Sequence, residues 1–190
     1  GAVSLNNSGT FDVEVNNDNN AIQLGVSSVG TGTLMVTGEG ITQTGAITQL
    51  ALAGAATFNA GAGVITLDSA NDFTGAVSLN NSGTNAVSVT DINAIELGTS
   101  TVGDSTLTVT GVGITQTGAI TQAANAGAAT FNAGAGVITL NNVANDFTGA
   151  VSLNNSGTFD VEVNNDNNAI QLGVSSVGTG TLMVTGEGIT

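Results

Sequence analysis

The sequence predicts an all-β chain wound as a solenoid, and three observations carry that expectation. The stretch Gly1–Thr42 returns letter for letter as Gly149–Thr190. GAVSLNNSGT begins at Gly1, Gly75 and Gly149, so the underlying block runs from Gly1 to Thr74 and then starts again. Within each block, short apolar runs alternate with period two and stop at Gly, Asn or Asp. Period two with β-branched enrichment means strands, and the stop residues accept tight corners. Strands repeated in tandem without limit cannot close into a barrel or sandwich, which leaves a stack of coils.

The repeat divides the chain into blocks 1–74 and 75–148 and a partial block 149–190, expected to form one continuous solenoid in a longer array. The two full blocks align with two compensating one-residue slips, at Asn16–Asn20 against Thr90–Asn93 and at Asp68–Asp72 against Asn141–Asp146. Length changes at turns that spare the apolar runs identify the runs as the structural elements.

Each run can be placed in order through the second block. AVSL (76–79), TLTV (106–109) and ATFN (129–132) are assigned to one face. AVSV (86–89), GITQ (113–116) and VITL (137–140) are assigned to a second, and AIEL (94–97), AITQ (119–122) and DFTG (146–149) to a third. That makes about three coils per block at roughly 25 residues each; four coils of about 18 residues is the alternative, at about 4.8 Å per coil. The expected inward side chains are Val77, Leu79, Val87, Val89, Ile95, Leu97, Leu107, Val109, Ile114, Ile120, Ile138, Leu140 and Phe147. No run has helical spacing with caps. The absence of proline agrees with strands whose N–H groups donate to the next coil.

Composition excludes several functions. The 190 residues contain no Lys, Arg, His or Cys, and 14 carboxylates give a net charge of −14. Phosphate binding draws on Lys and Arg, so neither nucleic acid nor an anionic membrane is an expected partner. The most apolar stretch, Leu50–Ala56, is too short to span a bilayer. Without His or Lys there is no base for a nucleophilic triad. Asp12 and Glu14 alternate with Val13 and Val15 on an outward strand face, so no enzyme is expected. No phosphate loop is present.

The remaining sites are weighed by their oxygen supply. Calcium takes six to eight oxygens, usually with several carboxylates. The runs at 16–20, 90–93 and 164–168 offer one carboxylate each, so Asp18, Asp91 and Asp166 are the calcium candidates and no cofactor is expected. Asp72 and Asp146 recur in NDFTG and read as structural Asx turns. The ladder Thr106–Thr108–Thr110 invites an ice-binding reading, but Met35 stands at the position of Thr108 in the first block. Charges rarely recur between blocks: Glu14 matches Ser88, Asp12 Ala86, Glu39 Val112, Glu96 Gln23, Asp104 Thr31 and Asp68 Asn141. In three-coil blocks equivalent positions lie about 14 Å apart, beyond a Debye length of about 8 Å.

ITLNNVANDFTG (138–149), AIELGTSTV (94–102) and LTVTGVGITQTGAITQ (107–122) resemble the repeats of filamentous-haemagglutinin-like giant bacterial adhesins. NDFTGAVSLNNSGT (71–84) also resembles autotransporter-associated β-strand repeats. The resemblance implies a right-handed parallel β-solenoid, export to the bacterial cell surface and a long extracellular stalk. The expected function is therefore structural: a stiff, polyanionic segment of an adhesin shaft whose partner is itself, by end-to-end stacking or lateral bundling. A glycan- or calcium-binding module is the alternative.

Overall fold

The computed structural model describes residues 1–166 and 168–190. It is all-β, and its named strands are short. The first block holds β1 (Val13–Asn16), β2 (Ile22–Leu24), β3 (Ser27–Val29), β4 (Leu34–Thr37), β5 (Ile41–Gln43), β6 (Ile47–Gln49), β7 (Ala56–Asn59) and β8 (Ile65–Asn71). The second holds β9 (Val77–Asn80), β10 (Val87–Asp91), β11 (Ile95–Leu97), β12 (Ser100–Val102), β13 (Leu107–Thr110), β14 (Ile114–Gln116), β15 (Ile120–Gln122), β16 (Ala129–Asn132) and β17 (Ile138–Leu140). β18 (Val151–Asn154), β19 (Val161–Asn165) and β20 (Leu182–Gly186) follow.

Every pairing between named strands is parallel and joins strands about one turn apart, so the chain is a parallel β-solenoid. A front sheet stacks β1, β4, β7, β9, β11, β14, β17, β19 and β20, which is eight turns from first to last. β12 and β15 extend it sideways. A back sheet stacks β2, β5, β8, β10, β13, β16 and β18, and the β3–β6 pair extends that face. Turn length varies: the turn from Ile22 to Ile41 is among the shortest, and the one from Thr121 to Asp146 is the longest.

The coil has two principal faces, which corrects the three-face grouping. AVSL of β9 lies in the front sheet, while TLTV of β13 and ATFN of β16 lie in the back sheet. AVSV of β10 is a back strand, whereas GITQ of β14 and VITL of β17 are front strands. DFTG forms no strand, only a bridge from Asp146 to Thr121. The physical reason lies in GITQTGAITQ. The chain kinks at Gly118 instead of turning a corner, held by Gln116 Nε2 donating to the Gly118 carbonyl at 2.7 Å. β14 and β15 therefore lie along one side, as do β11 and β12.

Counted this way, a block has seven sides, or three and a half turns, close to the three expected. An odd number of sides has a consequence: each block begins on the face opposite to its predecessor. β1, β4 and β7 are front strands, and their counterparts β10, β13 and β16 are back strands. Only after two blocks does the chain return, so Val13 of β1 and its repeat Val161 of β19 both lie on front strands.

The core is a continuous column. All thirteen side chains expected to point inward are buried, each no more than 2% exposed. Two aromatic pairs recur at equivalent positions: Phe58 meets Phe73 and Phe131 meets Phe147 edge to face, with centroids 5.8 Å apart in both. Turns sit so close that glycine is required at Gly103, where a Cβ would overlap the Gly83 carbonyl of the turn below.

Candidate functional site

Polar side chains fall into three sets: buried amides, corner turns and outward carboxylates. Asn71 and Asn145 are almost fully buried, and each forms a reciprocal amide pair with a glutamine. Gln116 Nε2 donates to Asn145 Oδ1 at 2.9 Å and Asn145 Nδ2 donates to Gln116 Oε1 at 2.9 Å. The Ile120 N–H also donates to Asn145 Oδ1, and Asn145 Nδ2 reaches the Leu140 and Asn164 carbonyls. Asn71 and Gln43 repeat the arrangement with Ile47, Leu67 and Thr90. These amides satisfy the backbone where the chain kinks, a scaffold role that sequence reasoning missed. No signal singled them out, because Gln43 and Gln116 lie within ITQTGAITQ and Asn71 and Asn145 within ANDFTG, segments identical in both blocks.

The Asx turns lie elsewhere than expected. Oδ1 accepts the N–H two residues on at Asn7, Asn16, Asn81, Asp91, Asn142, Asn155 and Asn164. Asp72 and Asp146 instead accept a side-chain N–H from the next turn: Asn93 Nδ2 at 3.2 Å and Asn168 Nδ2 at 3.1 Å. Their backbones are tied into bridges with Thr48 and Thr121, which turns the carboxylates toward the following coil.

The calcium candidates are not brought together. Among the described residues no three acidic side chains gather at one point. Asp18 and Asp166 are exposed, each closing an Asx turn through its own N–H. Asn167, part of the 164–168 run, lies outside the described residues. Asp91 points inward and is buried, accepting the Phe73 and Asn93 N–H groups at 2.7 Å each.

Burial raises the Asp91 pKa above the ordinary aspartate value; the two N–H donors oppose the rise and Asp72 adds to it. One block later Asn165 occupies the same niche, accepting from the Phe147 N–H and donating to the Phe147 and Ala169 carbonyls. Because the folded pKa is raised, the native state holds more protons than the unfolded chain between the two values. The Asp91 contribution is thus full below the unfolded value and lost as pH rises through the folded one. Asp91→Asn should raise the melting temperature at neutral pH and flatten this part of the pH profile. Thermal unfolding of both proteins across about pH 3 to 8 checks it; parallel profiles would refute it.

The outward carboxylates are arranged by face. Glu14, Glu96 and Glu162 all project from the front sheet, at β1, β11 and β19. Their block equivalents on the back sheet are the neutral Ser88 and Gln23. Because sheets are parallel, all front-to-back connections lie on one edge and all back-to-front connections on the other. The front-to-back edge carries Asp18, Glu39, Asp104, Asp146, Asp166 and Glu187. Equivalent positions one block apart therefore lie on opposite sides rather than in one row about 14 Å apart. Recurrence on the same side takes seven turns, about 34 Å.

Shallow recesses lined by Asn and Ser occur at equivalent corners, one bounded by Asn59, Asn80, Asn81 and Ser82 and another by Asn132, Asn154, Asn155 and Ser156. Their donors are occupied within the chain. Asn80 Nδ2 donates to Asn59 Oδ1, Asn154 Nδ2 to Asn132 Oδ1, and Asn81 and Asn155 to the Gly63 and Gly136 carbonyls.

A family model described as repeats of unknown function (DUF5649) matches residues 10–80 and again 84–154. The chain belongs to this repeat family. The two DUF5649 matches are equal in length, and their starts at 10 and 84 reproduce the spacing of Gly1 and Gly75. Each DUF5649 match spans seven sides, the first from β1 to β9 and the second from β10 to β18. The second copy is thus mounted on the opposite faces from the first. No match was found among curated proteins or solved structures.

Proposed function

We propose that this chain is a length of shaft in a giant extracellular bacterial fibre of the filamentous-haemagglutinin-like kind, and that its role is mechanical. One observation carries the reading most of the way: the letter-for-letter recurrence of Gly1–Thr42 at Gly149–Thr190 falls after a whole number of turns. Two blocks return the chain to its starting sheet, so repeats can follow one another with no change of face and no closure. A column of Val, Ile, Leu and Phe with inter-turn hydrogen bonds resists bending, since each turn is tied to the next through parallel ladders. The outward carboxylates, most numerous on the front face and the front-to-back edge, supply a polyanionic surface. Absence of Lys and Arg removes every trypsin site.

The test is length scaling. Chains carrying two, three and four copies of the unit 1–148, imaged by electron microscopy, should be straight rods that lengthen by about 34 Å per copy. Fibre diffraction should give an axial repeat near about 4.8 Å. Flexible or globular particles would overturn the reading. A fall in melting temperature on calcium chelation would favour the calcium-binding module in its place.

A further inference from the structure

The edge opposite those six corner carboxylates has a different chemistry. Six large apolar side chains stand exposed on its back-to-front connections: Phe11, Leu50, Leu52, Ile92, Val112 and Phe159. Leu52 is 93% exposed at the tip of its turn. On the front-to-back edge the equivalent positions are polar or small: Asn125 for Leu52, Glu39 for Val112, Asn85 for Phe159 and Ala123 for Leu50. One exposed apolar residue, Val143, lies on the front-to-back side, and others, such as Val26 and Met35, lie on the faces. The apolar edge also bears a groove of about 360 Å³ along several turns, between Ala94, Val112, Val137 and Phe159.

Differences that look like drift between two copies are, in the folded chain, differences between two sides. Three and a half turns put one block's version of a corner on one edge and the next block's version on the other. We propose that this apolar edge is a seam along which a second copy of the same chain pairs side by side. The Leu52 projection of one rod packs against the groove beside Val112 and Phe159 of the other.

Three observations select a second copy as the occupant. First, six corner carboxylates lie on the opposite edge, so two copies meeting at this seam hold those charges outward. The acidic residues on the seam edge are Asp12, Asp72, Asp91 and Asp160; they are engaged by the Thr33 N–H, the Asn93 amide, the Phe73 and Asn93 N–H groups, and the Thr181 N–H respectively. Second, the knob and the groove lie on one edge of one chain, which makes the surface self-complementary. Third, Phe11 and Phe159 are the same residue of the repeat seven turns apart, so seam residues recur at a spacing that a second identical rod shares. The acidic edge then stops a pair from growing into a sheet. This rests on the shaft reading only for its extension along a fibre.

The test uses substitutions the fold already contains. In the full 190-residue chain, Leu52→Asn, Val112→Glu and Phe159→Asn are combined, each introducing the residue found at the equivalent corner of the other block. Sedimentation and electron microscopy should show wild-type rods paired at double width and variant rods at single width, with the same circular dichroism. The reverse set on the acidic edge, Asn125→Leu, Glu39→Val and Asn85→Phe, should convert pairs into wider rafts. Wild-type rods at single width at every concentration, or a triple variant that still pairs, would overturn the seam. End-to-end association changes length and not width, so failure of the seam and failure of the shaft reading are separately visible.

Discussion

Replacing Phe131 by alanine is expected to destabilise the chain by about 3–5 kcal/mol, the cost of an aromatic-sized cavity in a core that cannot collapse. Phe131 is fully buried, lies in register between Val109 and Leu153 of the adjoining turns, and meets Phe147 edge to face. Its neighbours are held by ladders above and below, which limits relaxation into the void. Loss of the ring pair adds about 0.5–1.5 kcal/mol within that range. The chain has no Trp or Tyr, so urea unfolding is followed by far-ultraviolet circular dichroism. Val26→Ala, at a 74% exposed position, serves as the control and should stay within about 0.5 kcal/mol of wild type. A loss below about 1 kcal/mol for Phe131→Ala would show that the column repacks freely.

The second large effect is expected at Asn145. Asn145→Ala removes the amide that serves the Ile120 N–H and the Leu140 and Asn164 carbonyls, while Gln116 keeps its bonds to the Gly118 carbonyl and the Asn142 N–H. At about 1–3 kcal/mol for each stranded group, the total is about 3–5 kcal/mol after partial relaxation. Asn145→Asp separates hydrogen bonding from volume. It keeps the size but cannot donate when ionised, so its unfolding free energy should fall below wild type at neutral pH and recover as the pH is lowered. Equal stability of the Asp variant and wild type at neutral pH would mean that volume alone matters at this position.

Much of the fold was legible because strand alternation is a local property. Val77 and Leu79, or Ile138 and Leu140, alternate with polar residues over three or four positions, and that spacing alone sends them inward. Corners were legible for the same reason, through Gly, Asn and Asp. Asp72 and Asp146 were misread because an Asx turn and a side chain reaching to the next coil use the same residue. Only the neighbouring turn, with Asn93 or Asn168, distinguishes them. The buried Asn–Gln pairs were hidden similarly, since their partners lie 28 and 29 residues apart.

The identity of Gly1–Thr42 with Gly149–Thr190, the restart of the block at Gly75, the strand periodicity and the absence of every cationic side chain were determined by the sequence itself. Parity, in contrast, emerges only in the folded chain. Whether GITQTGAITQ turns a corner or kinks along one side depends on contacts between turns, because Gln116 and Gln43 make the kink by bonding to asparagines that arrive much later in the chain. That choice sets seven sides per block instead of nine. With an odd number of sides, neighbouring blocks face opposite ways, and their differing corners sort into one edge richer in carboxylates and one bearing the exposed apolar side chains.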